Sequence, residues 1–226
     1  MFNLIRNTLT SSLLFFSLNA NSAFITIDEA AFDAVFSQNS FGTNPVDIRI
    51  GKASEMVFPD LLNIDSFNKI DQLFAQHLGP ANAVSLFFVD TVNWCGYTNY
   101  RFVGCGERFG NDYVVESIEA AGWRGTELLA HELGHNLGLD HTGGGNLMTS
   151  NLNGNTSLSN NQVAQILNSP LVQQQNDYRW IDINPILIVS QATPQVSEPT
   201  TLFLLAGALM LLFRRKIACH MVTIKR

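Results

Sequence analysis

Residues 131–141 read HELGHNLGLDH, and NLMTS follows at 146–150. His131 and His135 stand four residues apart, so on a helix both imidazoles project from one face and can share a divalent ion. Glu132 follows the first histidine, rotated by about 100° around the helix axis. Its carboxylate can therefore reach a water on the metal without being a ligand. Gly138 comes three residues after His135; glycine tolerates positive φ and commonly ends a helix. A sharp turn there brings His141 back as the third ligand. Three protein ligands leave a fourth position open, which is the pattern of a catalytic zinc and not of a structural one. The chemistry this pattern points to is metal-assisted hydrolysis. Zn²⁺ acidifies a water and polarises a carbonyl, while Glu132 takes up the proton and returns it to the leaving group.

HELGHNLGLDH followed by Met148 resembles the zinc signature and Met-turn of the metzincin metallopeptidases. HELGHNLG is similar to the adamalysin-like branch, and GLDH followed by Thr142 is similar to the matrixin-like branch. The resemblance implies that His131, His135 and His141 hold one catalytic zinc ion and that Glu132 is the general base and acid. It also implies that Met148 lies beneath the metal as an apolar floor. The implied fold is α/β (α+β): a mixed, largely parallel twisted sheet with a backing helix, an active-site helix and a small C-terminal lobe after Gly138. A protein or peptide substrate would lie across the cleft between the lobes. No His/Asp-rich segment for a second, structural zinc precedes the site, and no cysteine precedes Cys95 to act as a latency switch. Calcium is not indicated, although Asp90, Glu107 and Asp112 can contribute to such a site.

The termini read as targeting segments. MFNLIRNTLTSSLLFFSLNANSA (1–23) carries Arg6, an apolar stretch and a small-residue exit, the layout of a secretory signal peptide cleaved after Ala20 or Ala23. Six of the 13 basic residues lie outside 24–198 and all 19 acidic residues lie inside it, which leaves that stretch with a formal charge of −12. So acidic a body argues against nucleic acid or anionic lipid as partners. Cys95 and Cys105, in CGYTNYRFVGC, are its only cysteines. In an oxidising compartment they are expected to pair and close a small loop. Cys219 falls in the tail.

A Thr/Gln/Pro linker (190–201) leads into LFLLAGALMLLF and then Arg214, Arg215 and Lys216. The apolar run of 12 residues is shorter than the ~20 of a relaxed membrane span. The order of linker, apolar run and basic cluster is nonetheless that of a C-terminal membrane segment with its charges inside. Ser197-Glu198-Pro199 ahead of the run resembles the PEP-CTERM sorting signal. That likeness implies a Gram-negative bacterium, an exosortase-type processing enzyme, and a protein exported to the cell envelope or beyond. A plain anchor is the alternative. The expected organisation is thus a signal peptide (1–23), a metallopeptidase domain (24–189), a linker (190–201) and a sorting or anchor segment (202–226).

Within the body, VDIRIG (46–51) reads as a short strand, AVSLFFVD (83–90) as a buried strand, 97–103 as an edge strand and DYVVESI (112–118) as another strand. DSFNKIDQLFAQHLG (65–79) has helical spacing, with Asp65 or Ser66 as cap, Gly79 as end and His77 packed on its apolar side. Thr126 is the expected cap of the active-site helix, which runs to about Leu137. Gly143–Gly145 read as a flexible loop. Ser159-x-x-Gln162 is a capping-box pattern opening a last helix that carries Val163, Ile166 and Leu167. These features together describe an exported zinc endopeptidase. The competing readings are a non-catalytic envelope protein stabilised by zinc and a protease that acts only on itself.

Overall fold

AVSLFFV forms a strand buried at every position, and the rest of the fold is layered on it. The computed structural model describes residues 27–97 and 101–191. The signal-peptide, sorting-segment and Cys219 expectations, and the linker beyond 191, lie outside the described residues.

In chain order the elements are α1 (Glu29–Phe36), β1 (Val46–Ile50), β2 (Ser54–Val57), β3 (Asn63–Ile64), α2 (Phe67–Phe74), β4 (Ala83–Val89), β5 (Thr91–Val92), β6 (Gly104–Gly106), β7 (Asp112–Glu116), α3 (Ser117–Ala120), α4 (Gly125–Asn136), α5 (Asn160–Leu167), β8 (Gln173–Gln175) and β9 (Tyr178–Val189). The fold is a mixed α/β fold around a seven-stranded sheet of order β1-β9-β4-β7-β6. β1 and β2 follow one another along the same parallel edge of β9, whereas β6 runs antiparallel to β7, and β8 antiparallel to the start of β9. β3 and β5 form a separate small parallel pair.

Strand side chains alternate faces, and here both faces are buried. Val84, Leu86 and Phe88 of β4, with Tyr113 and Val115 of β7, face a core that includes Phe32 and Phe36 of α1 and Leu128, Leu129 and Leu133 of α4. Phe87 and Val89, with Val114 and Ile186, face a second core closed by Ile70 and Leu73 of α2. Each such side chain taken fully from water contributes about 1.5–3 kcal/mol. The two-sided burial is why the strands read as apolar runs instead of alternating patterns.

The chain after Gly138 does more than form a small lobe. After α5 it returns to the sheet and supplies β9, the longest strand, between β1 and β4. Pro185 cannot donate to a ladder, and proline in an inner strand is unfavourable. It is tolerated because β1 pairs only as far as Ile183 and β2 begins at Ile186, so Pro185 faces the interruption between them.

Several boundaries differ from the sequence expectations. The helix expected over 65–79 is limited to α2, and Gly79 lies beyond its end with φ +108°. His77 is therefore not on an apolar helix face. Its Nδ1 lies 2.9 Å from the buried Asp112 carboxylate and 3.2 Å from Ser85 Oγ. The strand expected over 112–118 stops at Glu116, and Ser117 and Ile118 open α3. Helix α1, which sequence reading passed over, is marked by Asp28, whose carboxylate accepts from the Ala31 N–H, and by Phe32, Val35 and Phe36 on one face. Among the described residues no helix is long and apolar enough to cross a membrane.

Candidate metal centre

Helix α4 packs on β6 and β7 and is buried along nearly its whole length. It begins at Gly125 with Arg124 in the cap position, so Thr126 falls inside the first turn and caps nothing. Glycine is needed at 125 because a Cβ would strike the Ala120 carbonyl in the tight α3–α4 turn. Two polar side chains tie the helix to its surroundings. The buried Glu127 carboxylate accepts from the Asn153 N–H at 2.7 Å and the Gly154 N–H at 2.9 Å. Asn136 donates at 2.8 Å to the carbonyls of both Glu107 and Asp112.

The helix ends where the sequence places its glycine. Gly138 has φ +92°, and a Cβ there would run into the Phe109 ring. The turn brings His141 back over the helix. Its Nε2 lies 3.2 Å from His131 Nε2 and 3.2 Å from His135 Nε2. Among the described residues this is the one group of three such side chains able to hold a metal ion. Ligand atoms on a tetrahedral ion at about 2.05 Å stand about 3.3 Å apart, so the spacing fits zinc.

The tautomers fit as well. His131 Nδ1 lies 2.7 Å from the Leu147 carbonyl and His135 Nδ1 2.9 Å from the Leu139 carbonyl. A carbonyl only accepts, so each Nδ1 carries the proton and each Nε2 presents its lone pair to the common centre. Burial opposes an imidazolium: it pushes His131 down to about 4 and also lowers His135 and His141. The three rings are neutral at physiological pH, as metal ligation requires.

Glu132 is turned towards β6. Its carboxyl is buried, accepts from the Gly106 N–H, and is pushed up to about 8 by desolvation. The histidines and Glu132 open onto a cleft of about 520 Å³ whose walls include Tyr97, Phe102, Val103, Leu128 and Leu152.

Met148 is fully buried beneath α4. A Cβ on Gly134 would lie 2.5 Å from its Sδ, so the glycine inside HELGH makes room for the methionine between the two helical histidines. The intervening segment is not a free loop at its end. Asn146 Oδ1 accepts from the Met148 N–H at 2.9 Å and the Thr142 hydroxyl at 2.8 Å, and Asn146 Nδ2 donates to Gln162 at 3.2 Å. Gln162 closes the capping box with Ser159 at the start of α5.

Cys95 and Cys105 form a disulfide. The expected edge strand at 97–103 is displaced to β6, at 104–106. Among the described residues of 97–103, only Phe102 makes a bridge, to Val92. Of the calcium candidates Glu107 and Asp112 are neighbours, the Glu107 N–H donating to the Asp112 carbonyl at 3.1 Å, but Asp90 is not brought to them. Asp112 pairs near the start of β4, opposite Ser85, whereas Asp90 follows the end of that strand; five residues of strand span about 16 Å.

Gly104, Gly106, Glu127, Gly134 and Asn146 were missed as parts of the site. Gly104-Cys105-Gly106 offered a signal: two glycines at strand spacing share one face of the chain. No protein-family model matches this chain, and no curated protein matches it.

Proposed function

We propose that this chain is a zinc-dependent endopeptidase exported to the bacterial cell envelope. The observation that carries the reading is the convergence of three imidazoles, Nε2 atoms inward, beside a buried carboxyl at the floor of an open cleft. A zinc ion held by these rings would supply a Lewis acid that acidifies a water and polarises the scissile carbonyl. Glu132 takes the water proton and delivers it to the leaving amine. Its raised proton affinity suits a group that must both accept and donate near neutral pH. The main chain of β6, at the sheet edge, is available to an extended polypeptide by strand pairing. Tyr97, Phe102, Val103 and Leu152 line the same cleft as the histidines and provide apolar wall. The resemblance of HELGHNLGLDH and Met148 to the metzincin signature supports the same reaction.

A peptide-library digest with zinc-loaded wild type and Glu132→Gln tests the reading. The wild type is expected to cleave, and the variant to keep its zinc and lose about 10²–10⁴-fold in rate. A zinc-loaded wild type that cleaves nothing ends the proposal. Export rests on the signal-peptide pattern of 1–23 and the sorting-like segment 202–226, with an exosortase-type enzyme as the processing partner. Sequencing both ends of the envelope-derived protein tests it, and an intact Met1 in the mature protein would count against it.

A further inference from the structure

We propose that Gly104 and Gly106 are positioning residues for Glu132, held against it by the Cys95–Cys105 disulfide; this rests on the reading of Glu132 as general base. Neither glycine has a positive φ, so the backbone conformation does not call for glycine at either position. The space does. A Cβ on Gly104 would lie 2.5 Å from Glu132 Oε1 and 2.8 Å from its Cδ and Cγ. A Cβ on Gly106 would lie 2.5 Å from the Glu132 carbonyl oxygen and 2.9 Å from His135 Cβ. The strand thus presses bare backbone against the carboxylate, and the Gly106 N–H donates to it.

The pairing register explains the arrangement. Gly104 and Gly106 lie opposite Val115 and Tyr113, while Cys105 lies opposite Val114. The two glycines therefore face α4, and the cysteine faces the other side of the sheet. There its sulfur bonds to Cys95, in the segment that follows β5. Three residue pairs with β7 hold this short edge strand, and the disulfide adds a covalent hold from the opposite face. The same bond fixes both ends of the 95–105 segment, which carries Tyr97, Arg101, Phe102 and Val103 on the cleft wall. The rings of His131 and His135 are oriented by other contacts, to the Leu147 and Leu139 carbonyls. Gly104 therefore acts on the base alone, whereas Gly106 also packs against His135.

Gly104→Ala is the decisive variant, because its new methyl meets only the Glu132 side chain among its nearest neighbours. Zinc stoichiometry is expected to be unchanged, with kcat reduced about 10²-fold and KM nearly unaltered. Combining it with Glu132→Gln should add no further loss, since the group it displaces is already disabled. A second readout needs no activity. In the metal-free protein, hydrogen exchange of the Gly106 amide should accelerate in Glu132→Ala and in Cys95→Ala/Cys105→Ala. Gly104→Ala at wild-type kcat overturns the proposal. A wild type that cleaves nothing counts against the peptidase reading alone, whereas unchanged Gly106 exchange in Glu132→Ala counts against this proposal alone.

Discussion

The candidate metal centre is assembled from two regions of different character. His131, Glu132 and His135 ride on a buried helix wedged against β6 and β7. His141 and Met148 sit on the segment after Gly138, which has no regular structure between α4 and α5 and leaves His141 exposed. In the helix, periodicity sets the spacing of the rings, and the packing holds it rigid. In the segment the geometry comes from individual hydrogen bonds, chiefly those of Asn146, and from Met148 lodged under Gly134. Equivalent ligands can thus be held by different physics: one pair by a cooperative element, the third by a few replaceable contacts.

The most severe way to break this comparison is to remove one ligand from each side. His131→Ala and His141→Ala are both expected to lose zinc, measured as metal stoichiometry. Only His131→Ala should also weaken the metal-free fold, because it leaves the Leu147 carbonyl without its donor inside the protein, at a cost of about 1–3 kcal/mol. Urea denaturation of the two metal-free variants reads the difference. Equal destabilisation would mean that the segment is as tightly integrated as the helix.

A pH series on the chelated protein sharpens the contrast from the helix side. The folded-state value of His131 lies near 4, below its ordinary 6.5. The unfolded chain therefore takes the proton first, and stability falls as pH drops from 6.5 towards 4. Glu132 acts in the opposite direction. Its folded-state value near 8 lies above the ordinary 4.5, so stability falls as pH rises from 4.5 to 8. Metal-free Glu132→Gln should escape this alkaline loss, on the order of 4 kcal/mol at pH 8, and keep the acid loss. Parallel pH–stability curves for wild type and variant would show that the buried carboxyl is not the source.

The gentlest test uses one substitution on each side. Asn146→Ala removes the knot of the segment, and a loss of about 10–100-fold in zinc affinity is expected. Gly134→Ala pushes against Met148 Sδ and should cost about 1–3 kcal/mol of stability as overpacking, with a smaller effect on affinity. Zinc titration and thermal melts separate them. A reversed ranking in affinity would make Met148, and not Asn146, the support for His141.

Much of the centre was legible because it depends on short-range rules. The i, i+4 placement of His131 and His135, the adjacent Glu132, the positive-φ turn at Gly138 and the Ser159–Gln162 box are all set within a few residues of chain. The buried run of β4 announced a two-sided sheet for the same reason. What could not be read depends on partners far away in sequence. Nothing local says that His77 meets Asp112 across 35 positions, or that Gly104 is vacant for the carboxylate of Glu132. The residues of β9 were not read as a strand, and a proline at 185 is by itself a signal against an inner one. Only the gap between β1 and β2 makes that proline harmless.

Taken alone, the amino-acid order determined which atoms could ligate a metal and which carboxyl stands beside them, since helix geometry repeats the same way in any protein. Tertiary structure decided how those groups are oriented, which glycines give them room, and that the C-terminal strand lies at the centre of the sheet. Close packing and strand register join residues by distance in space, and no local pattern encodes that distance.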